Sequence, residues 1–358
     1  MSLPGSKAER REKGAIVHGR ALASNPRISL GCRDTMQGKP EEGVVGQVRK
    51  TFRAIDVGDG SDGRWAAHLR TLFPQAEGWL TDDGRTAEGA LRARKLFEEH
   101  MPELAPLLDR LAEQADRPAA GTFLTMAALK PFFSACTQTG SNGRLLRNYD
   151  FPPDECEATI VRSLFLRPII GMQEAGWGLL DGMNDAGLAV SLTFGGRPLA
   201  GPGFAVNIVL RYLLETCETV TEAVERLRKI PIMIPWNVTL VDAGRAVTVY
   251  LGPDIGLTEA PDACAANHQH LPVPEEDELA TRTQQRLAAI RASGGDVSAM
   301  LRPPLYESRF DDGYGTLYTA DYQPTRRRVT YHWPGETWEQ SFDRYTPGSR
   351  TITLVDHR

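Results

Sequence analysis

Cysteine is scarce in this chain: the five residues, at positions 32, 136, 156, 217 and 264, form an odd, scattered set without a C-x-x-C pair. That pattern speaks against a disulfide framework and against a cysteine-built structural zinc site, and it fits reduced thiols in a cytoplasmic protein. An excess of charge of either sign is also missing. With 41 basic and 46 acidic residues the formal net charge is -5, so nothing advertises a nucleic-acid or membrane surface. The short basic run Arg326-Arg327-Arg328 reads as a solvated strand face. No apolar run is long enough to span a bilayer. The first residues, MSLPGSKAERREKGAIVHGRAL, carry a basic flank but lack the apolar core of a secretory signal. What remains is a 358-residue, 41% hydrophobic chain with ample material for one large core.

Residues 1–42 mix charge, Gly, Ser and Pro without a sustained period and read as a flexible leader. Order is expected from about Val48, where VRKTFRAIDVG reads as a strand closed by the turn-rich GDGSDG. Helices dominate residues 43–135. Ala90, Ala93, Leu96 and Phe97 recur at helical spacing, as do Leu104, Leu107, Leu108 and Leu111, and Pro102 divides the two runs. A third helix, TFLTMAALKPFF, is expected to stop at Pro131.

From Cys136 onward the character changes to hairpins with helices between them. ACTQTGSNGRLLRNYDF reverses at Asn142-Gly143, GWGLLDGMNDAGLAVSLTFGG between Asn184 and Gly187, and WNVTLVDAGRAVTVYLG between Asp242 and Gly244. FAVNIVLRYLLETC, TVTEAVERLRKI and LATRTQQRLAAIRAS read as helices. GTLYTADYQPTRRRVTYHWPG reads as a strand pair, and TITLVD as a last strand. Hairpins need no crossover helices, so a layered α+β domain with mainly antiparallel sheets and helices on the outer faces is predicted.

A free cysteine is ordinarily a small buried hydrophobe. Cys136 differs in position. It stands at the junction of the helical and hairpin regions, and the Asn142-Gly143 turn folds Arg147, Asn148 and Asp150 back beside it. A guanidinium next to a thiol favours the thiolate, and a carboxylate can orient an amine. His268, His270 and His332 are the histidines available as a conventional base. Were Cys136 the first residue of a cleaved chain, its own α-amine, with a reference pKa of about 8, could take the thiol proton instead.

These residues resemble those of the N-terminal-nucleophile hydrolases, in the branch of choloylglycine hydrolases, penicillin V acylases and the acyl-coenzyme A:6-aminopenicillanic acid acyltransferase, the last being nearest in layout. Cys136-Thr137 is similar to the family's nucleophile and the residue after it. Arg147, Asn148 and Asp150 match its R-N-x-D motif, and Asp181 to Leu188 its D-G-x-N-x-x-G-L hairpin. Asn267 matches its oxyanion asparagine, preceded here by Ala266 where Thr is frequent, and Ser308-Arg309-Phe310 matches S-R-F.

The resemblance implies a four-layer αββα sandwich, with residues 43–135 a retained propeptide-derived segment and residues 136–358 the catalytic core. It also implies autocleavage between Ala135 and Cys136, where Ala135 replaces the acyltransferase's Gly, and thioester chemistry on linear, non-peptidic amides. By the same resemblance Cys136 is the nucleophile, Arg147 tunes the sulfur or holds substrate, and Asp150 orients the α-amine. Asn267 and the Thr193 main-chain N–H bind the oxyanion, and Arg309 supports the pocket. The implied partners are a small-molecule amide or acyl donor, an amine acceptor, the two fragments of one precursor, and a further copy in a homo-oligomer. No cofactor and no metal are called for. A binding or scaffold protein that keeps the fold stands as one alternative, and a zinc amidase built on His268 and His270 as a weaker one. Asn184 is expected to close its hairpin turn rather than take part in chemistry.

Overall fold

The computed structural model describes residues 47–132, 134–269 and 272–356; the leader expected over residues 1–42 lies outside them. Among the described residues sixteen strands and nine α-helices follow one another. The first part comprises β1 (Gln47–Asp56), α1 (Arg64–Trp79), α2 (Ala87–His100), α3 (Ala105–Ala115) and α4 (Ala120–Thr125). Next come β2 (Ala135–Ser141), β3 (Arg144–Phe151), β4 (Thr159–Leu164), β5 (Pro168–Glu174), β6 (Gly178–Asn184) and β7 (Ala189–Phe194). Helices α5 (Val206–Thr216) and α6 (Val220–Leu227) precede β8 (Trp236–Val241), β9 (Ala246–Gly252), β10 (Ile255–Glu259) and β11 (Cys264–Ala265). The chain closes with α7 (Glu275–Thr281), α8 (Thr283–Ser293), α9 (Val297–Met300), β12 (Ser308–Arg309), β13 (Tyr314–Gln323), β14 (Arg328–Trp333), β15 (Glu336–Ser341) and β16 (Gly348–Val355).

The strands form two sheets, one ordered β10-β9-β8-β7-β6-β5-β4-β1-β16 and the other β11-β2-β3-β13-β14-β15, with β12 paired to β13. Every pairing is antiparallel except that of β1 with β4. Period-two alternation sends successive side chains into different layers. On β3, Leu145 joins the core between the sheets, with Phe52, Ile160, Met172, Leu317 and Trp333, while Leu146 joins Leu287, Ile290 and Met300 under α8 and α9. The opposite face of the nine-stranded sheet packs Val190, Leu192 and Val238 against α1 to α6. These layers are the expected αββα sandwich.

Two helices differ from expectation in ways that shape the site. The helix read through TFLTMAALKPFF ends at Thr125, well before Pro131, because Met126 turns left-handed (φ 53°) and its carbonyl accepts the Ala205 N–H. The helix read as LATRTQQRLAAIRAS breaks at Arg282 (φ 51°), where the Glu278 carboxylate accepts the N–H groups of Gln284 and Gln285 and starts α8 afresh. That restart turns Thr283 and Arg286 inward, where both are buried.

Candidate active site

The β2–β3 hairpin brings the sequence motif together. Its two-residue turn needs φ > 0 at both central positions, which Asn142 (54°) and Gly143 (67°) supply. The register then sets Cys136 opposite Tyr149 and Gln138 opposite Arg147. Cys136 and Tyr149 face the gap between the sheets, whereas Asn148 points to the helical face. There its amide nitrogen donates to the carbonyls of Met300 and Leu305, so Asn148 braces the α9 loop.

The Cys136 sulfur is fully buried. Arg147 Nη2 lies 3.2 Å from it and Ser134 Oγ 3.7 Å. Arg147 is held on every side: Nε donates to the Leu192 carbonyl (3.1 Å), Nη1 to Asp181 and to the Tyr318 hydroxyl (2.8 Å), and its guanidinium lies 4.7 Å from the Tyr149 ring centre. Asp181 also accepts from the hydroxyls of Tyr318 (2.6 Å) and Tyr322. The arginine is therefore a neutralised, immobile cation. Burial pushes the Cys136 thiol above its ordinary range; Arg147 opposes that rise without cancelling it, and the Asp150 charge adds to it. In the intact chain the sulfur carries its proton.

Asn267 and Arg286 link the Cys136 nitrogen to the carboxylate of Asp150. The Cys136 N–H donates to Asn267 Oδ1 (3.2 Å), which also accepts from Arg286 Nη1 (3.2 Å). Two pure donors on one oxygen fix the amide's orientation. Asn267 Nδ2 consequently faces the Phe194 carbonyl (3.3 Å). Asp150 is fully buried between Arg286 Nη2 and the Thr316 hydroxyl, the latter at 2.6 Å. Burial raises the Asp150 carboxyl, and Arg286 and Thr316 pull it back.

Two expected residues sit differently. The carbonyls of Leu192 and Phe194 point into the gap, to Arg147 and Asn267, while the Gly195 N–H bonds to Pro235 beside β8. By strand alternation the Thr193 main-chain N–H is turned towards β8 and away from the gap, which corrects its expected place in the oxyanion site. The Thr193 hydroxyl instead ties β7 to the Ala266 carbonyl (2.7 Å). Arg309 is 44% exposed in its side chain, donates to Glu307 (3.1 Å) and lies over the Tyr314 ring. The guanidinium beside Asp150 and Asn267 is Arg286, which sequence reasoning missed because no local motif distinguishes it from Arg291, the other arginine of α8. Thr316 and Tyr318 were missed for a similar reason, and Asp181 was placed only in its hairpin motif, since the sheet register alone brings these residues to Arg147 and Asp150. Asn184 behaves as expected, accepting the Leu188 N–H (3.0 Å) and donating to the carbonyls of Leu214 and Cys217.

His268 Nδ1 lies 2.8 Å from the Thr283 hydroxyl, and burial lowers its pKa. His332 Nε2 stands 3.9 Å from Asp321. His270 lies outside the described residues. Neither His268 nor His332 is among the partners of the sulfur described above.

Two stacked, mainly antiparallel sheets between helical layers, with a buried cysteine near the start of an inner strand, define the N-terminal-nucleophile hydrolase fold. The profile of the acyl-coenzyme A:6-aminopenicillanic acid acyl-transferase family matches residues 137–338, more than half of the chain, and the chain belongs to that family of hydrolases and acyltransferases. No curated protein matches it by sequence. Among solved structures it is similar to a penicillin V acylase from Agrobacterium tumefaciens, at 14% identity over 61% of this chain and 90% of that one, with a TM-score of 0.40. A mutant conjugated bile acid hydrolase from Clostridium perfringens is similar at 12% identity over 61% and 96%, with a TM-score of 0.40. An N-acylethanolamine-hydrolyzing acid amidase ortholog from Caenorhabditis elegans is similar at 14% identity over 53% and 92%, with a TM-score of 0.33.

Proposed function

We propose that the protein is a self-activating amidohydrolase or acyltransferase in which Cys136 first cuts the chain at Ala135-Cys136 and then acts as its N-terminal nucleophile. The observation that carries this reading is the convergence on one peptide bond. The sulfur sits beside Arg147, and the amide of the same residue is held by Asn267, with Asp150 and Arg286 behind it.

In processing, Sγ attacks the Ala135 carbonyl carbon and the Cys136 nitrogen leaves with a proton. Water then cleaves the thioester, giving an Ala135 carboxylate and a free Cys136 α-amine. In turnover the amine takes the thiol proton and sulfur attacks the substrate carbonyl. Asn267 Nδ2 and the Phe194 main-chain N–H, one residue beyond the expected Thr193, bind the oxyanion. The amine product departs, and water or an amine acceptor resolves the thioester. Asn267 Oδ1 keeps the α-amine it already holds as an amide, and Asp150 balances its charge. Arg286 takes the electrostatic role first assigned to Arg309.

The segment before the cut stays bound through β1, which lies between β4 and β16 in the nine-stranded sheet. Intact-mass measurement tests the proposal: wild type should give two fragments dividing before Cys136, heavier together than the precursor by one water, and Cys136→Ala a single chain. Full-length wild type that turns over an amide would end this reading.

A further inference from the structure

Strand β13 serves both halves of the site through one irregularity. Thr316 is paired with Asp150 and Tyr318 with Tyr149, so two steps along β13 match one step along β3, and Leu317 is the extra residue. In a regular strand residues 316 and 318 would share a face. The bulge places them on opposite faces, a known device for re-aiming side chains. The Tyr318 hydroxyl faces Arg147 and Asp181 beside the sulfur, and the Thr316 hydroxyl faces Asp150 beside the nitrogen. The Leu317 carbonyl accepts from Trp333 Nε1 at 2.7 Å.

Hydrogen-bond accounting fixes what Thr316 does. Its oxygen accepts the Glu307 N–H (2.7 Å), and its own N–H donates to the Glu307 carbonyl (2.7 Å). With that lone pair engaged, the single hydroxyl proton goes to Asp150 Oδ1 at 2.6 Å. Glu307 is in turn held by Arg282 and by Arg309, the arginine of the S-R-F motif. A route of direct contacts thus runs from a half-exposed arginine through Glu307 and Thr316 to the carboxylate behind the Cys136 nitrogen.

We infer that Thr316 is a positioning residue for Asp150, placed by the Leu317 bulge and secured by the Glu307–Arg309 pair, and that it keeps the carboxylate ionised and aimed at the Cys136 α-amine. This rests on the amine-as-base reading above. The groups facing Asp150 are Arg286 from α8, Glu307 from the loop before β12, Tyr314 from β13, Tyr306, and Cys136 itself.

The experiment uses processed protein and p-nitrophenyl acetate, an activated ester that asks nothing of acyl specificity, and follows acetylation of Cys136 by mass across pH. Removing the hydroxyl in Thr316→Val takes away a donor to the ionised carboxylate. The limb set by protonation of Asp150, below that of the α-amine, should therefore move to higher pH by about one unit, and acetylation should slow roughly tenfold on that limb. Thr316→Ser should restore the wild-type midpoint. Arg309→Gln, at a half-exposed site that folding tolerates, should move the limb the same way by a smaller amount, which keeps the inference testable if Thr316→Val does not fold. Uniform slowing at every pH without a shifted midpoint, or no shift in Arg309→Gln, overturns the inference while leaving the nucleophile intact. Wild type that is neither cut nor acetylated at Cys136 removes the underlying reading instead.

Discussion

Asp181 should be among the most costly residues to alter, because it is the counter-ion of a fully buried guanidinium. Its carboxylate accepts from Arg147, Tyr318 and Tyr322, and both partners of the ion pair are 0% exposed in their side chains. Removing one member of a buried pair leaves the other uncompensated, a loss of about 3–5 kcal/mol. Asp181→Asn keeps the shape but deletes the charge and turns an amide N–H₂ towards groups that are themselves donors. Tyr322→Phe removes only one hydrogen bond to the same carboxylate, at about 1.5–3 kcal/mol. For a domain of this size about 2 °C of midpoint accompanies each kcal/mol, so Asp181→Asn should melt roughly 6–10 °C below wild type and Tyr322→Phe about 3–6 °C below. Thermal unfolding followed by circular dichroism measures both. The Arg147 charge, no longer balanced, should also act more strongly on Sγ and speed alkylation of Cys136 by iodoacetamide in the opened, processed protein. An Asp181→Asn midpoint no lower than that of Tyr322→Phe would refute the claim that a charge, rather than a hydrogen-bond acceptor, is what Arg147 requires.

Two further outcomes follow from named contacts. Against the cost of burial, nearby His332 together with Arg144 and Gln323 holds the Asp321 carboxyl down to about 2. Its stabilising contribution is therefore complete above the ordinary carboxylate pKa and is lost as pH falls from about 4 through about 2. Arg144→Met should flatten that part of a stability-against-pH titration, and an unchanged slope would count against the pairing. Arg286→Met should leave Asp150 with Thr316 as its one remaining donor among these contacts, lower stability by about 3–5 kcal/mol and stop cleavage at Ala135-Cys136. A variant that is cleaved at the wild-type rate would remove Arg286 from the site.

The sequence spoke most clearly where structure is local. The Asn142-Gly143 turn, the Pro102 break and the strand at the start of the described chain each depend on residues within a few positions, and each lies where expected. The hairpin of β4 and β5 was not read, because ATIVRSLFLRPIIGMQ is apolar on successive residues. Such a strand is buried on both faces and lacks the alternation that distinguishes it from a helix. The pairing of β1 with β16 joins nearly the two ends of the described chain, and no local pattern encodes it. The site divides in the same way. Cys136, Arg147 and Asp150 lie on one hairpin and could be brought together from sequence. Arg286, Asp181 and Thr316 reach them across 136, 34 and 166 positions, through a helix restart, a second sheet and a bulge.

On the proposed reading, the same geometry accounts for an inert intact chain in which the proposed nucleophile, Cys136, is already buried beside Arg147. A guanidinium 3.2 Å from a sulfur ordinarily favours the thiolate, yet here burial outweighs it and the thiol stays protonated. Arg147 is also spent on Asp181 and two other acceptors, so its field at the sulfur is weaker than its distance suggests. Before the cut, the Cys136 nitrogen is an amide, which cannot act as a base, and its N–H is already given to Asn267. The proposed cleavage would turn that nitrogen into an amine whose ordinary pKa, about 8, lies close to that of an ordinary thiol, about 8.5, so that the site has only the cost of burying the charges to offset. The carboxylate, the amide oxygen and the two guanidiniums that would stabilise the resulting ion pair are in place beforehand. The proposed activation would therefore need no large rearrangement of these groups, only the loss of one peptide bond.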